Sequence, residues 1–177
     1  MHLTIGLDIS TSCTGICALD ERGSLVSLTH IKYPSKLSLW EKADLTRSEL
    51  KKLIAQTDGT FKRFFVEESL QKFRPGLSSA KTLTTLSKFN GIVSYLGREV
   101  FKIDPEAINV NAARKSVGLK VPRGTKAKAV VMQHCIDNEK MFEVEYTRFG
   151  NIKQHYYDIA DAIVIAKAGF NLTSEQD

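Results

Sequence analysis

Four carboxylates stand where apolar segments of this sequence begin or end. Asp8 follows the apolar run LTIGL, and Glu67 follows FKRFFV. Asp158 and Asp161 open DIADAIVIA, a stretch apolar enough to pack as a helix on a sheet, and residues three apart share one helix face. Because an ionised carboxylate is costly to bury without a partner, each acid either caps local structure or binds something positive.

Each acid also has a purely structural explanation. Asp8 could accept hydrogen bonds from turn amides at Ser10 or Thr11, and Glu67 could be an exposed strand end. Asp158 could be a first-turn acid that the helix dipole stabilises. Their joint arrangement favours a metal site, since converging carboxylates repel one another and divalent cations remove that repulsion. Oxygen ligands without a His or Cys pair select Mg²⁺ or Mn²⁺ over zinc.

Apolar periodicity predicts the elements that would carry these acids. Three early strands with short connections form an antiparallel meander, and later strands alternate with helices. The predicted strands are 3–9, 15–19, 24–32, 61–66, 101–103 and 107–110, and the predicted helices are 38–56, 78–98, 127–136 and one that begins near Tyr157. This order predicts an α/β fold with a mixed sheet, a three-stranded antiparallel meander plus parallel strands, flanked by helices. If strands 3–9 and 61–66 are parallel neighbours, Asp8 and Glu67 reach one edge of the sheet, where ligands bind.

The composition is that of one globular domain, predicted to span residues 1–172, with a frayed tail at 173–177. Hydrophobic residues make up 42% of the 177 residues and charged residues 25%, which is typical of such domains. The net charge of +5 favours a polyanionic partner. The sequence shows no signal peptide, membrane span or paired-cysteine motif, so its three cysteines indicate reduced thiols of a cytoplasmic protein.

Three motifs, GLDISTSCTGI, FFVEESL and DIADAIVIA, resemble the acidic motifs of the RuvC-type Holliday junction resolvases of the RNase H-like nuclease superfamily. The resemblance spans nearly the whole chain and implies an RNase H-like fold with a five-stranded mixed sheet. The acids that it assigns to catalysis and metal binding are Asp8, Glu67, Asp158 and Asp161. The implied reaction is resolution of four-way DNA junctions by a homodimer with two Mg²⁺ ions per active site, which Mn²⁺ can replace. The implied products are nicks with 5′-phosphate and 3′-hydroxyl ends.

The resemblance also extends to basic segments that would contact DNA. NAARKSVG followed by TKAKAVV is similar to a segment whose lysines meet DNA in the family. The loop SLQKFRPG follows Glu67 directly and places an aromatic residue between two cations. The implied DNA contacts are Lys72, Phe73, Arg74, Lys115, Lys120, Arg123, Lys126 and Lys128. Each cation could equally belong to a solvated basic surface, and Phe73 could equally pack in the core.

Two departures from the family pattern suggest a divergent branch, such as a phage or viral one. The family carries a junction-wedging aromatic three residues after the Glu, where this chain has Leu70, so Phe73 would be a displaced substitute. The stretch FEVEYTRFGNIKQHYY looks foreign to the family, and its first part, FEVEYTRFGN, is predicted to form an irregular hairpin. A dimer surface is predicted on helix 78–98, through Leu83, Leu86, Phe89 and Tyr95, although core packing would explain most of them.

Other functions fit parts of the sequence. An RNase H-like nuclease could act on other branched DNA, such as flaps or forks, and nothing in the sequence ranks these substrates. A non-catalytic nucleic-acid-binding module would not need all four acids. GLDISTSCTG also looks like the phosphate loop of sugar kinases and actin-like ATPases, but those proteins need two such domains and a Gly-rich adenosine motif. Cys13 is disfavoured as a nucleophile, because the sequence places no His or Lys near it that would stabilise a thiolate.

Overall fold

The computed structural model describes residues 1–68 and 80–174, which contain five strands and five helices. The strands are β1 His2–Ile9, β2 Cys13–Leu19, β3 Leu25–Lys32, β4 Thr60–Glu67 and β5 Glu106–Ile108. The helices are α1 Leu39–Gln56, α2 Ala80–Phe101, α3 Val110–Ser116, α4 Ala127–Asn138 and α5 His155–Ser174. None of the helices in this part of the chain is long and apolar enough to cross a membrane.

All five strands belong to one mixed sheet, in the order β3-β2-β1-β4-β5. The strands β1, β2 and β3 pair antiparallel, whereas β4 lies parallel to β1 and β5 lies parallel to β4. The predicted meander with parallel additions is therefore confirmed. In the β1–β4 register Leu7 pairs with Val66, so the residues that follow them, Asp8 and Glu67, leave the sheet at the same edge.

The sheet separates two apolar cores. The first core lies under α3, α4 and α5, and the second lies under α1 and α2. Neighbouring side chains of a strand point to opposite faces, so Phe65 enters the first core and Phe64 the second. Burial of each such side chain contributes about 1.5–3 kcal/mol. Because β4 is buried on both faces at residues 64–66, these three residues are all apolar instead of alternating with polar ones.

A capping box starts α1. The Ser38 hydroxyl accepts from the Glu41 amide at 3.3 Å, and the Glu41 carboxylate accepts from the Ser38 amide at 2.7 Å. The predicted apolar stripe of this helix is wrong at Trp40 and Ile54, which are 73% and 37% exposed. The buried face is centred near Thr46, and both residues lie to one side of it.

In the middle of the chain one predicted strand is wrong and one helix was not predicted. The predicted strand 101–103 is the end of α2 and a turn, because Phe101 remains helical and packs against Phe61 with ring centroids 5.0 Å apart. The basic segment that follows was not predicted as helical but contains α3. Asn109 caps this short helix by accepting from the amide two residues later.

The helix α2 supplies both core and surface residues. Phe89 is fully buried in the second core, where its ring meets Tyr33 edge-on at 5.2 Å, so its place in a predicted dimer surface is wrong. Leu83 is half-buried, and Leu86 lines a cavity at the sheet edge. Tyr95 is 60% exposed and is available for contact with another molecule.

Candidate active site

The four carboxylates predicted at the sheet edge line one cavity of about 210 Å³. Asp8 and Glu67 reach it from the carboxyl ends of β1 and β4. Asp158 and Asp161 reach it from the beginning of α5. Asp8 is 9% exposed and Asp158 is 7% exposed. Three elements that are distant in sequence therefore bring four acids into one partly dry site.

A glycine allows α5 to approach the sheet closely at this site. Gly15 pairs with Asp8 across the β1–β2 ladder, and a Cβ at Gly15 would lie 2.0 Å from the carbonyl oxygen of Asp158. Gly6 plays the same part further along, where a Cβ would lie 2.6 Å from the backbone nitrogen of Ala166. The motif GLDISTSCTGI thus has its glycines where α5 crosses β1 and β2. This close crossing sets the position of Asp158 relative to Asp8.

The polar loop after Asp8 is held by its own side chains and by α1. The Ser10 hydroxyl accepts from the Cys13 amide at 3.1 Å and donates to the Cys13 carbonyl at 2.7 Å. Lys42 of α1, which is 8% exposed, donates to the Thr11 carbonyl at 2.8 Å. The Ser10 amide donates to the Cys13 carbonyl at 3.0 Å and not to Asp8, whose side chain lines the acidic cavity.

Burial raises the pKa values of all four carboxyl groups, and repulsion by neighbouring acids raises those of Asp8 and Asp161 further. Desolvation contributes most to the raised pKa of Asp8, and the charges of the other three acids add to it. The side-chain interaction between Asp8 and Glu67 raises the pKa of Asp8 further and opposes the rise in the pKa of Glu67. Burial raises the pKa of Asp161 to about 6. Full ionisation of this cluster at neutral pH therefore calls for a counter-charge.

Two cations from neighbouring helices partly offset the negative charge. The Lys128 ammonium of α4 lies 3.9 Å from an oxygen of Asp158 and 4.0 Å from an oxygen of Asp161. Arg114 of α3 lines the same cavity, and its charge opposes the rise in the pKa values of Glu67 and Asp161. The Nε atom of Arg114 is buried and has no hydrogen-bond partner among the described residues. A guanidinium with a free donor suits an anion that enters the cavity.

Three residues of this site were not identified from the sequence. The Asn90 side chain of α2 donates to the Glu67 carbonyl at 3.2 Å and so ties down the end of β4. The Cys13 thiol is hydrogen-bonded to the Asp158 carboxylate, and burial raises the pKa of Cys13 to about 12, which disfavours a thiolate nucleophile. Arg114 lies within the basic motif NAARKSVG, so the sequence shows its charge. The direction in which its side chain points depends on how α3 packs.

The predicted DNA contacts fall into three groups. Lys128 lies beside the acids of the cavity. Four other cations are exposed on α3, at the start of α4 or on the connection between them: Lys115, Lys120, Arg123 and Lys126. They are therefore accessible to a polyanion. The predicted residues that lie outside the described part of the chain are Leu70, Lys72, Phe73 and Arg74.

The donor chemistry of the cavity fits a hard divalent cation. The four acids supply oxygen atoms alone, and their raised pKa values reflect charge that a cation would neutralise. No group of three or more His, Cys, Asp or Glu side chains in residues 1–68 and 80–174 has the geometry of a preformed metal site. The fit therefore rests on the type of the oxygen ligands and on the negative charge that they bring into the cavity. The cluster thus fits a cation by ligand type and charge.

Comparison with known proteins identifies the fold. No protein-family model and no curated protein matches the chain. Among solved structures, Thermus thermophilus RuvC in complex with a Holliday junction substrate is 14% identical, with a TM-score of 0.67, and the match covers 99% of this chain and 96% of that one. A second Thermus thermophilus RuvC structure is 15% identical, with a TM-score of 0.62, and covers 98% and 96% of the two chains. The chain therefore has the RuvC-like fold of the RNase H-like class, as its acidic motifs suggested.

Proposed function

We propose that this protein is a structure-selective DNA endonuclease that resolves four-way junctions. The observation that carries the proposal is the convergence of four buried or half-buried acids in one cavity of a RuvC-like fold. A RuvC protein with this fold was solved with a Holliday junction substrate. The exposed cations beside the cavity suit the phosphates of such a substrate.

The four acids would hold two divalent cations per active site, Mg²⁺ or, in its place, Mn²⁺. When bound, such ions activate a water nucleophile and stabilise the leaving oxygen of a phosphodiester. Arg114, with its free buried donor, would bind an oxygen of the scissile phosphate. Lys128 would hold Asp158 and Asp161 in place through its two ion pairs. Hydrolysis would leave 5′-phosphate and 3′-hydroxyl nicks.

Resolution of a four-way junction requires two symmetric cuts, so we extend the proposal to a homodimer with two active sites. The exposed Tyr95 on α2 marks the surface that we assign to self-association. This surface lies on the helix that also contributes Leu86 and Asn90 to the acidic cavity. Sedimentation of the DNA-free protein measures the oligomeric state.

Charge-removing variants of two acids test the site. We expect Asp8→Asn and Glu67→Gln to lower Mg²⁺-dependent junction cleavage by orders of magnitude, because each keeps the shape of the side chain but removes a metal ligand. Junction binding should stay within about two-fold of wild type, since affinity comes mainly from Lys and Arg contacts with phosphate. Nick formation and mobility shift are measured on the same preparations. Asp44→Asn, at an acid with a 77% exposed side chain on α1, is the matched control.

The substrate panel separates the competing functions. It comprises a four-way junction, a fork, a flap, an RNA–DNA hybrid and a linear duplex. Cleavage at the wild-type rate by Asp8→Asn or Glu67→Gln would contradict the assignment of these acids to the active site. Faster cleavage of flaps or forks than of junctions would favour a nuclease for other branched DNA. Failure to cut any substrate with Mg²⁺ or Mn²⁺ would favour the hypothesis of a non-catalytic nucleic-acid-binding module.

A further inference from the structure

The segment before α5 folds into a compact hairpin, residues 145–153, which we call the tip hairpin. Tyr146 and Ile152 form an antiparallel bridge within it. The Thr147 amide donates to the Asn151 carbonyl at 2.7 Å, and the Thr147 hydroxyl accepts from the Asn151 amide at 3.3 Å. These bonds define the conformation of the turn.

Apolar side chains anchor the base of the tip hairpin in the first core. Val144 and Ile152 pack against that core. Phe142 is 5% exposed within it, and its ring meets the ring of Tyr156 at 6.0 Å. With a buried base and a hydrogen-bonded turn, the tip hairpin has a defined direction relative to α5.

The tip presents an aromatic ring and a cation to solvent. Phe149 is 74% exposed and Tyr146 is 58% exposed. The Arg148 guanidinium lies 4.6 Å from the centroid of the Phe149 ring, a cation–π contact that orients both groups. Glu145 is paired with Lys153, so the remaining charge of the tip hairpin is that of Arg148. An exposed aromatic plane beside a positive charge is suited to stack a nucleobase and contact its phosphate.

The tip hairpin stands close to the carboxylate cavity. Its second strand enters α5 through a turn in which the Tyr156 amide donates to the Lys153 carbonyl at 3.1 Å. The first turn of α5 carries Asp158. Four residues of chain and one helical turn separate Asn151 from Asp158, which limits their separation to roughly 20 Å. DNA held at the cavity therefore lies within reach of the tip hairpin.

We propose that the tip hairpin is a second DNA-binding element, in which Phe149 stacks on an unpaired nucleobase and Arg148 contacts the adjoining phosphate. Stacking on a side chain requires a base with an open face. A branch point or a single strand offers such a base, whereas a continuous duplex does not. The tip hairpin would thus direct the nuclease to cuts beside unpaired bases, an inference that rests on the proposed function.

The test compares Phe149→Ala and Phe149→Leu with Trp40→Ala, a control at a 73% exposed aromatic on α1, on the other side of the sheet. Binding is measured in chelating buffer to a four-way junction, an oligothymidine strand and a linear duplex. We expect both Phe149 variants to bind the junction and the single strand at least roughly five-fold more weakly, with duplex binding changed less than about two-fold. Melting temperatures should be unchanged, because the side chain is exposed. Trp40→Ala should bind like wild type.

Equal losses on all three DNAs, or no loss, would overturn this proposal, as would a loss of dimer in sedimentation without a change in affinity. Junction cleavage by the wild type is measured separately. If the wild type cut no branched DNA but the Phe149 variants bound single strands weakly, the DNA-binding role of the tip hairpin would stand and the proposed function would be refuted. If the wild type cut junctions and the Phe149 variants bound DNA with full affinity, the proposed function would stand and the role of the tip hairpin would be refuted. A wild type that binds none of the three DNAs would overturn both.

Discussion

At the residue scale, protons and cations compete for the same carboxylate oxygens. Burial raises the pKa values of Asp8 and Glu67, and it raises the pKa of Asp161 to about 6. Lys128 offsets only part of this charge, because its side chain is 56% exposed and solvent screens it. A divalent cation competes with protons for these oxygens, so metal affinity should increase with pH while the acids ionise.

We expect Asp161→Asn to stabilise the metal-free protein at neutral pH. The folded-state pKa of Asp161 lies above its ordinary value of 3.8, so the folded state binds more protons than the unfolded state. The stability from this group is fully present below about pH 4 and is lost as the pH rises through about 6. Because Asn does not ionise, urea unfolding in chelator near neutral pH should give a free energy of unfolding higher by up to about 3 kcal/mol. The difference should vanish near pH 4.

The control for this stability measurement is Asp44→Asn, whose carboxylate is exposed on α1. It should leave the free energy of unfolding unchanged at both acidic and neutral pH. If Asp161→Asn were no more stable than wild type at neutral pH, the account of the cavity as a cluster of mutually repelling acids would be wrong. Added Mg²⁺ should stabilise wild type more than Asp161→Asn, since the variant has lost one ligand.

At the element scale, the placement of α5 on the sheet decides whether the acids meet. Gly6 and Gly15 let the helix backbone come close to β1 and β2. Phe65 continues this packing further along, where it fills the space beside Gly169 of α5. The helix is thus held along its length by close contacts, and small changes at one glycine would move its first turn.

We expect Gly15→Ala to disrupt the site through the backbone of α5. A Cβ at this position would lie 2.0 Å from the Asp158 carbonyl oxygen, which belongs to backbone and cannot rotate away. The free energy of unfolding should fall by about 3 kcal/mol or more. Cleavage per folded molecule should fall on the order of 10²-fold, because Asp158 is displaced. Thermal melting and single-turnover cleavage measure the two effects.

Gly91→Ala is the matched control for Gly15→Ala. A Cβ at Gly91 would meet nothing within 4 Å, and the residue lies inside α2. Alanine there should raise the free energy of unfolding by up to about 1 kcal/mol, through helix propensity, and leave cleavage unchanged. Wild-type cleavage and melting in Gly15→Ala would show that α5 does not depend on this contact.

At the scale of the whole molecule, a basic segment lies in the same layer of helices as the acidic cavity. Exposed cations cluster on α3, α4 and their connection, on the layer that also carries α5 and its acids. The helices α1 and α2 cover the opposite layer. The excess of 25 basic over 20 acidic residues is thus presented in part beside the cavity, where a DNA backbone would lie.

We expect the triple variant of Lys120, Arg123 and Lys126, each changed to Gln, to weaken binding to junction and linear duplex alike. Phosphate contacts carry affinity without selecting structure, in contrast to stacking at the tip hairpin. The slope of log affinity against log salt should become shallower by about 0.9 for each phosphate contact that is lost. Lys51→Gln, at an exposed lysine on α1, should leave the slope unchanged. An unchanged slope in the triple variant would show that these residues do not contact DNA.

Local signals in the sequence determined the strands β1 to β4, the α1 cap and the positions of the four acids along the chain. Ser38 and Glu41 form a capping box within four residues, and period-two or continuous apolar runs mark β1, β2 and β4. Because parallel strands end at one edge, the placement of Asp8 beside Glu67 followed once β1 and β4 were taken as neighbours.

Tertiary structure alone decided which other side chains join the site and which aromatics face solvent. Arg114 reaches the cavity because α3 packs on α5, and Gly15 matters because Asp158 lies over it. The sequence likewise does not show that Phe149 is exposed at a hairpin tip or that Trp40 is exposed beside a buried helix face. These outcomes depend on contacts between residues far apart in the chain, whereas apolar period, caps and turn residues report interactions over a few positions. The sequence by itself therefore determined where the acids stand along the chain, and only the packing of helices on the sheet determined what surrounds them.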